Sequence, residues 1–224
     1  MSGPGTPQPW RVLLADDHAV VRAGYRHLLE RHGKVSVVAE ADHADEAYRL
    51  YREHRPDLFI TDITMPGASG LDAIRRVLLI EPSARVLVFS MHVSPDFALA
   101  ALRSGAWGYV TKNSTPDVLL RAIGDVMGGR QVLSPDIAQA LALASVCGGR
   151  SPLEELTPRE FDVLLLMVDL HSVERIAQAL HLSTKTVQNL HYQIKRKLQV
   201  SNDIELAQLA MSCGLGNAPA RPSP

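Results

Sequence analysis

The chain has only two cysteines, Cys147 and Cys213, with no CxxC spacing, so neither a disulfide framework nor a zinc site has support. No apolar run approaches the roughly 18 residues of a membrane span, which excludes a bilayer-spanning role. Residues 1–9 lack the charged-then-apolar order of a secretory signal and are rich in Gly and Pro instead. They read as a disordered tail on a cytoplasmic protein. Neither sign of charge is in excess: the net charge is -1, so a nucleic-acid partner has to announce itself through local distribution. No fixed-period repeat occurs, which excludes a solenoid or propeller. A glycine-rich phosphate loop ending in Gly-Lys-Ser or Gly-Lys-Thr is also missing.

What is present suits a folded protein of two domains, since 224 residues leave room for two cores of roughly 100 residues or more each. From Arg11 to Met127, short apolar runs alternate with amphipathic segments such as Ala44 to Glu53 and Leu71 to Leu79. The runs are Val12 to Ala15, Val35 to Ala39, Leu58 to Ile60, Val86 to Phe89 and Trp107 to Val110. This alternation predicts a doubly wound α/β domain with a five-stranded parallel sheet over residues 10–128.

Ligands of such folds bind beyond the carboxyl ends of the strands. The first run there ends in Asp16 and Asp17, the third in Asp62, the fourth in Ser90, and the fifth reaches Lys112. Singly, an Asp at a strand end is ordinarily an N-cap or turn residue; the joint placement is what points to chemistry. Carboxylates held together repel, and a hard cation such as Mg2+ relieves that repulsion. Asp16, Asp17 and Asp62 are the candidate cage, with neighbouring His18 given no role. A carboxylate can also attack phosphorus to form an acyl phosphate. Asp62 is the candidate acceptor, Lys112 the ion-pair partner for a phosphoryl oxygen, and Ser90 a hydrogen-bond donor to another.

These residues carry a resemblance. The Asp16-Asp17 pair, the Asp62-Ile63-Thr64-Met65-Pro66 run with Gly70, and Ser90, Tyr109 and Lys112 resemble the receiver domain of two-component response regulators. The resemblance implies a flavodoxin-like fold and Mg2+ that also takes the Thr64 backbone carbonyl. It further implies a phosphoryl group supplied by a histidine kinase, and Ser90 and Tyr109 as switch residues. Asn113 follows Lys112 where many receivers have Pro.

Residues 129–152 read as a linker in which Ser134-Pro135 opens a short helix to about Ala144. Cys147 within it is taken as incidental. Residues 153–214 then show a second, all-helical pattern. Thr157-Pro158-Arg159-Glu160 is a capping box stapled by Leu156 and Phe161, and Ser172 and Ser183 cap two further helices. In the third helix Val187, Leu190, Ile194 and Leu198 form an inward stripe opposite Lys185, Asn189, Tyr192 and Arg196. From Leu182 to Asn202 the charged residues are Lys185, Lys195, Arg196 and Lys197, with no acid among them. A solvated face is the ordinary meaning of such charges. The short helix before it makes major-groove insertion the sharper reading, with Gln188, Asn189 and Tyr192 reading bases and Thr184, Lys185, Lys195, Arg196 and Lys197 completing the contact.

Leu156 to Glu160, Ile176-Ala177, Leu180, Ser183, Thr186-Val187, Ile194 and Lys197-Leu198 resemble the four-helix LuxR-type helix-turn-helix domain. A receiver followed by that domain is the NarL/FixJ arrangement. It implies phosphorylation-controlled binding of double-stranded promoter DNA and a homodimer through the last helix, Asp203 to Ser212, by Ala207, Leu209 and Ala210. The family usually has Lys at Gln188, His at Leu190, and Gly near Leu170 and His171. Residues 215–224 read as a second tail. His171, His181 and His191 fall ten apart, off any single helix face, and are treated as ordinary polar residues.

Two other classes stay open at this stage. A phosphohydrolase using the same acids would turn over a small phosphate ester many times per chain, whereas the resemblance implies no enzyme beyond self-directed phosphoryl transfer and dephosphorylation. A constitutive DNA binder with a merely structural receiver would ignore a phosphodonor.

Overall fold

A computed structural model describes residues 8–146, 151–169 and 171–215; most of the two expected tails, 1–9 and 215–224, and Cys147 and Leu170 lie outside the described residues, whereas Leu215, expected to open the second tail, is fully buried. Strands β1 (Trp10–Ala15), β2 (Val35–Ala41), β3 (Leu58–Thr61), β4 (Val86–Ser90), β5 (Gly108–Thr111) and β6 (Val132–Leu133) form one parallel sheet in the order β2-β1-β3-β4-β5-β6. Every residue of β3, β4 and β5 is buried. That explains their continuous apolar runs, because a parallel sheet is covered on both faces.

The sheet has six strands and not five. β6 is two residues long, too short to register as an apolar run, and it pairs Val132 with Gly108 and Leu133 with Tyr109. Gly108 admits it: a Cβ there would stand 2.8 Å from the Val132 carbonyl oxygen.

Helices α1 (Ala19–Arg31), α2 (Ala44–His54), α3 (Gly70–Ile80), α4 (Pro95–Arg103) and α5 (Pro116–Met127) alternate with the strands. Then follow α6 (Pro135–Val146), a 3-10 turn at Pro152–Glu155, α7 (Pro158–Val168), α8 (Val173–Ala179), α9 (Thr184–Lys197) and α10 (Asp203–Ser212). Two compact units result, one of residues 8–91 and 105–134, the other of 92–104 and 135–215. Helix α4 therefore belongs to the second unit, although it lies between β4 and β5 in the chain. Within that unit Phe97 meets Phe161 edge-on with ring centroids 5.5 Å apart, and Arg103 donates to the Glu154 carbonyl at 2.5 Å.

Both capping signals at the start of the helical domain hold. Thr157 Oγ1 accepts from the Glu160 amide while Glu160 reaches back to the Thr157 amide. Ser172 and Ser183 accept from Arg175 and Thr186 amides, satisfying N–H groups the helices leave orphaned. The core of this domain gathers Phe161, Leu164, Ile176, Val187, Ile194 and Leu206, all at most 2% exposed. Among the described residues, no helix is long and apolar enough to cross a membrane.

Candidate functional site

Parallel pairing brings the carboxyl ends of β1, β3, β4 and β5 to one edge. The ladder continues one step beyond the strands: Asp62 N–H donates to the Ala15 carbonyl at 2.9 Å and Lys112 N–H to the Ser90 carbonyl at 2.7 Å. These bonds fix the backbone of the candidate residues before any side chain is considered. Close approach is completed by Gly70 at the start of α3, where a Cβ would come within 1.8 Å of the Asp62 carbonyl oxygen. Glycine alone fits there.

The side chains converge as the sequence indicates. Lys112 Nζ lies 2.6 Å from Asp16 Oδ2 and 2.5 Å from Asp62 Oδ2, with all three side chains at most 5% exposed. Burial alone would lower the Lys112 pKa; the Asp62 and Asp16 carboxylates outweigh it and raise the value, so the ammonium stays charged. Asp62 Oδ1 accepts from the Ile63 amide at 2.6 Å. Asp17 is more open, its side chain 25% exposed, and Thr64 is exposed two positions past Asp62. Ser90 Oγ is fully buried and has no hydrogen-bond partner, and Tyr109 is fully buried on β5, where its register partner is Val88 while that of Ser90 is Thr111.

The fit to a divalent cation can be tested on charge. Asp16, Asp17 and Asp62 carry three negative charges against the one positive charge of Lys112, an imbalance that Mg2+ would match with hard oxygen donors, although the ligand atoms lying within 4.8 Å of one another are those of Asp16, Asp17 and His18. Sequence reasoning missed His18, which is part of the same cluster: its Nδ1 is 2.8 Å from Asp17 Oδ1, and its amide donates to Asp16 Oδ1 at 2.9 Å. Arg22, one turn into α1, donates to the Asp16 carbonyl at 2.5 Å and to Glu40 at 3.2 Å. Its place four residues after His18 was the available signal.

In the second unit, α9 turns Val187, Ile194 and Leu198 inward, with Leu190 half-buried. Thr184, Lys185, Gln188, Asn189, Tyr192 and Arg196 are exposed on the opposite side. Two of the expected cations are not displayed this way. Lys197 Nζ donates to Glu160 Oε2 at 2.6 Å and to the Glu155 carbonyl at 3.2 Å, tying the end of α9 to the start of α7. Lys195 Nζ donates to Asp203 Oδ1 at 3.1 Å. His191 has a role after all, with Nε2 2.7 Å from the same Asp203 oxygen. Burial would raise the Asp203 pKa, but hydrogen bonds from Lys195 and His191 outweigh it and hold it below its ordinary value. On α10, Ala210 is 1% exposed and packs inward, which corrects its assignment to a dimer contact. Ala207 and Leu209 are half-buried, and the outward apolar side chains are Ile204 and Met211, 72% and 53% exposed.

Residues 12–124 match the response regulator receiver domain, and residues 154–210 match the bacterial regulatory proteins of the luxR family. The response regulator GacA of Pseudomonas aeruginosa is 37% identical over 210 residues, 93% of this chain and 98% of that protein. A LuxR-family two-component response regulator from Aurantimonas is 49% identical over 62% of this chain and 99% of its own, with a TM-score of 0.60. RcsB of Salmonella enterica serovar Typhimurium, solved bound to a promoter in the presence of the phosphomimetic BeF3-, is 29% identical over 91% of this chain and 98% of its own, with a TM-score of 0.73. With the acid pocket at the strand ends and the polar face of α9 both in place, the chain belongs to the two-component response regulators of the NarL/FixJ type, a receiver followed by a LuxR-type helix-turn-helix domain.

Proposed function

We propose that the chain, a cytoplasmic protein, accepts a phosphoryl group from a cognate sensor histidine kinase on Asp62, and that this controls binding of α9 to promoter DNA. The observation that carries the reading is the buried Lys112 bridge between Asp16 and Asp62, at the same sheet edge as the partnerless Ser90 hydroxyl. The Ile63 amide holds Asp62 Oδ1, which leaves Oδ2 as the attacking oxygen. Lys112 then passes from that oxygen to the phosphoryl group, and Ser90 Oγ gains the hydrogen bond it lacks. Asp16, Asp17, Asp62 and the Thr64 carbonyl would hold Mg2+, which supplies neutralisation of phosphoryl charge when bound. The same groups serve self-dephosphorylation, and no further enzymatic activity is assigned.

Phosphorylation adds roughly -1.5 to -2 charge, and it acts on DNA through a coupling element. Ser90 and Tyr109 fill that role: Ser90 is joined to α4 by residues 91–94, and α4 is packed through Phe97 against Phe161 of the helical unit. Gln188, Asn189 and Tyr192 read base edges, while Thr184, Lys185 and Arg196 hold phosphates. A homodimer forms on paired half-sites through α10, with Ile204 and Met211 joining Ala207 and Leu209 in place of buried Ala210.

The test is capture of fragmented genomic DNA at fixed salt with Mg2+, with and without beryllofluoride. Discrete fragments enriched by the donor are expected for the native chain, and none of that stimulation for Asp62→Asn. Equal stimulation of Asp62→Asn would remove the acceptor assignment.

A further inference from the structure

His191 and Lys195 stand at i and i+4 on α9, on the flank that faces α10. Both meet one carboxylate, Asp203, the first residue of α10. The start of a helix favours a negative charge, so the carboxylate is settled there independently of its two partners. Asp203 itself is 64% exposed and Lys195 27%, so the pair lies beside the DNA-facing side of α9 and not beneath it. An ammonium already matched by a fixed anion releases little counterion when it approaches a phosphate. The matched pair is neutral, whereas a free cation contributes in full to salt-dependent affinity.

Resting on the reading of α9 as the DNA-facing helix, we infer that Asp203 sets the strength of sequence-independent DNA binding by withholding Lys195 from the phosphate backbone. Lys185 and Arg196 carry the phosphate contact, and discrimination falls to Gln188, Asn189 and Tyr192. His191 holds Asp203 from its other side and keeps the carboxylate aimed at Lys195. The residue acts through Lys195 and is a positioning residue, not a DNA contact.

The inference is tested on the full chain by titrating a duplex of arbitrary sequence at several salt concentrations, using the wild type, Asp203→Asn, Lys195→Met and the double variant. Asp203→Ser serves as a second removal of the charge, and Lys185→Met and Arg196→Met as controls. Asp203→Asn should tighten the duplex several-fold near physiological salt and steepen the log affinity against log salt line by about 0.9 per added phosphate contact. Lys195→Met alone should leave the slope close to that of the wild type, and the double variant should return to it. A gain that persists in the Lys195→Met background would overturn the inference, since it would reflect simple repulsion between Asp203 and DNA. So would a full loss of slope in Lys195→Met alone, or no effect of Asp203→Asn and Asp203→Ser. If Lys185→Met and Arg196→Met flatten the slope while the Asp203 variants do nothing, only this inference falls. If no variant and no wild type binds the duplex, the DNA-facing assignment of α9 falls with it.

Discussion

Ser90 carries a buried hydroxyl oxygen with no hydrogen-bond partner. A buried hydroxyl without a partner forfeits its hydration, a cost of about 1–3 kcal/mol in general, and Ser90 Oγ is in that position at 0% exposure. Substitution by Ala removes the orphan atom and little volume. Ser90→Ala is therefore expected to match or exceed the wild type in thermal midpoint while losing most of the beryllofluoride response. A clear drop in midpoint together with a full response would show that the hydroxyl serves resting stability and not the phosphorylated state. At this scale the receiver site was largely legible in the sequence, because strand ends of a parallel sheet gather at one edge and the residue types there have few other uses. His18 and Arg22 were missed: their spacing places them at the start of α1, but their contacts depend on how α1 leaves the β1 end.

Among elements, the attachment of α9 to α7 rests on Glu160. Its Oε2 accepts from the Thr157 amide at 2.7 Å, the Thr157 hydroxyl at 2.9 Å and Lys197 Nζ at 2.6 Å. Burial would raise the Glu160 pKa, yet these donors, Lys197 foremost, bring it below the ordinary value of 4.5. A folded value below the unfolded one means that the stabilisation is complete above the unfolded value and is lost as pH falls through the folded one. Glu160→Gln keeps an acceptor for the capping box but loses the charge. It is expected to cost about 1–3 kcal/mol at neutral pH, and the two stability curves, followed by helical circular dichroism, should converge as pH drops below 4.5. A difference that stays constant into acid would mean that the charge of Glu160 contributes nothing. The capping box itself was readable from Thr157 to Glu160, but the tether to Lys197 spans 37 positions and has no local signature. Helix α10 misled for another reason: Leu206 and Ala210 are buried while Ile204 and Met211 are exposed, so both faces are apolar and periodicity cannot choose between them.

For the whole molecule, the question is how much the two compact units exchange. The acid pocket lies in residues 8–91 and 105–134, α9 in the other unit, so any effect of one on the other is a coupling free energy. Such couplings are typically about 1–3 kcal/mol, or roughly 5- to 150-fold in affinity, and they are reciprocal. Beryllofluoride binds reversibly, which makes both directions measurable on the same protein. Saturating donor is expected to tighten a captured promoter fragment by a factor within that range, and saturating fragment should tighten beryllofluoride by the same factor. If dimerisation on DNA contributes, the factor rises with protein concentration in both titrations together. A donor that occupies the Asp62 pocket yet leaves DNA affinity unchanged, with the fragment likewise leaving donor affinity unchanged, would show two uncoupled units on one chain. Control would then have to come from elsewhere than phosphorylation, and the buried Ser90 and Tyr109 would lose their role as the connection.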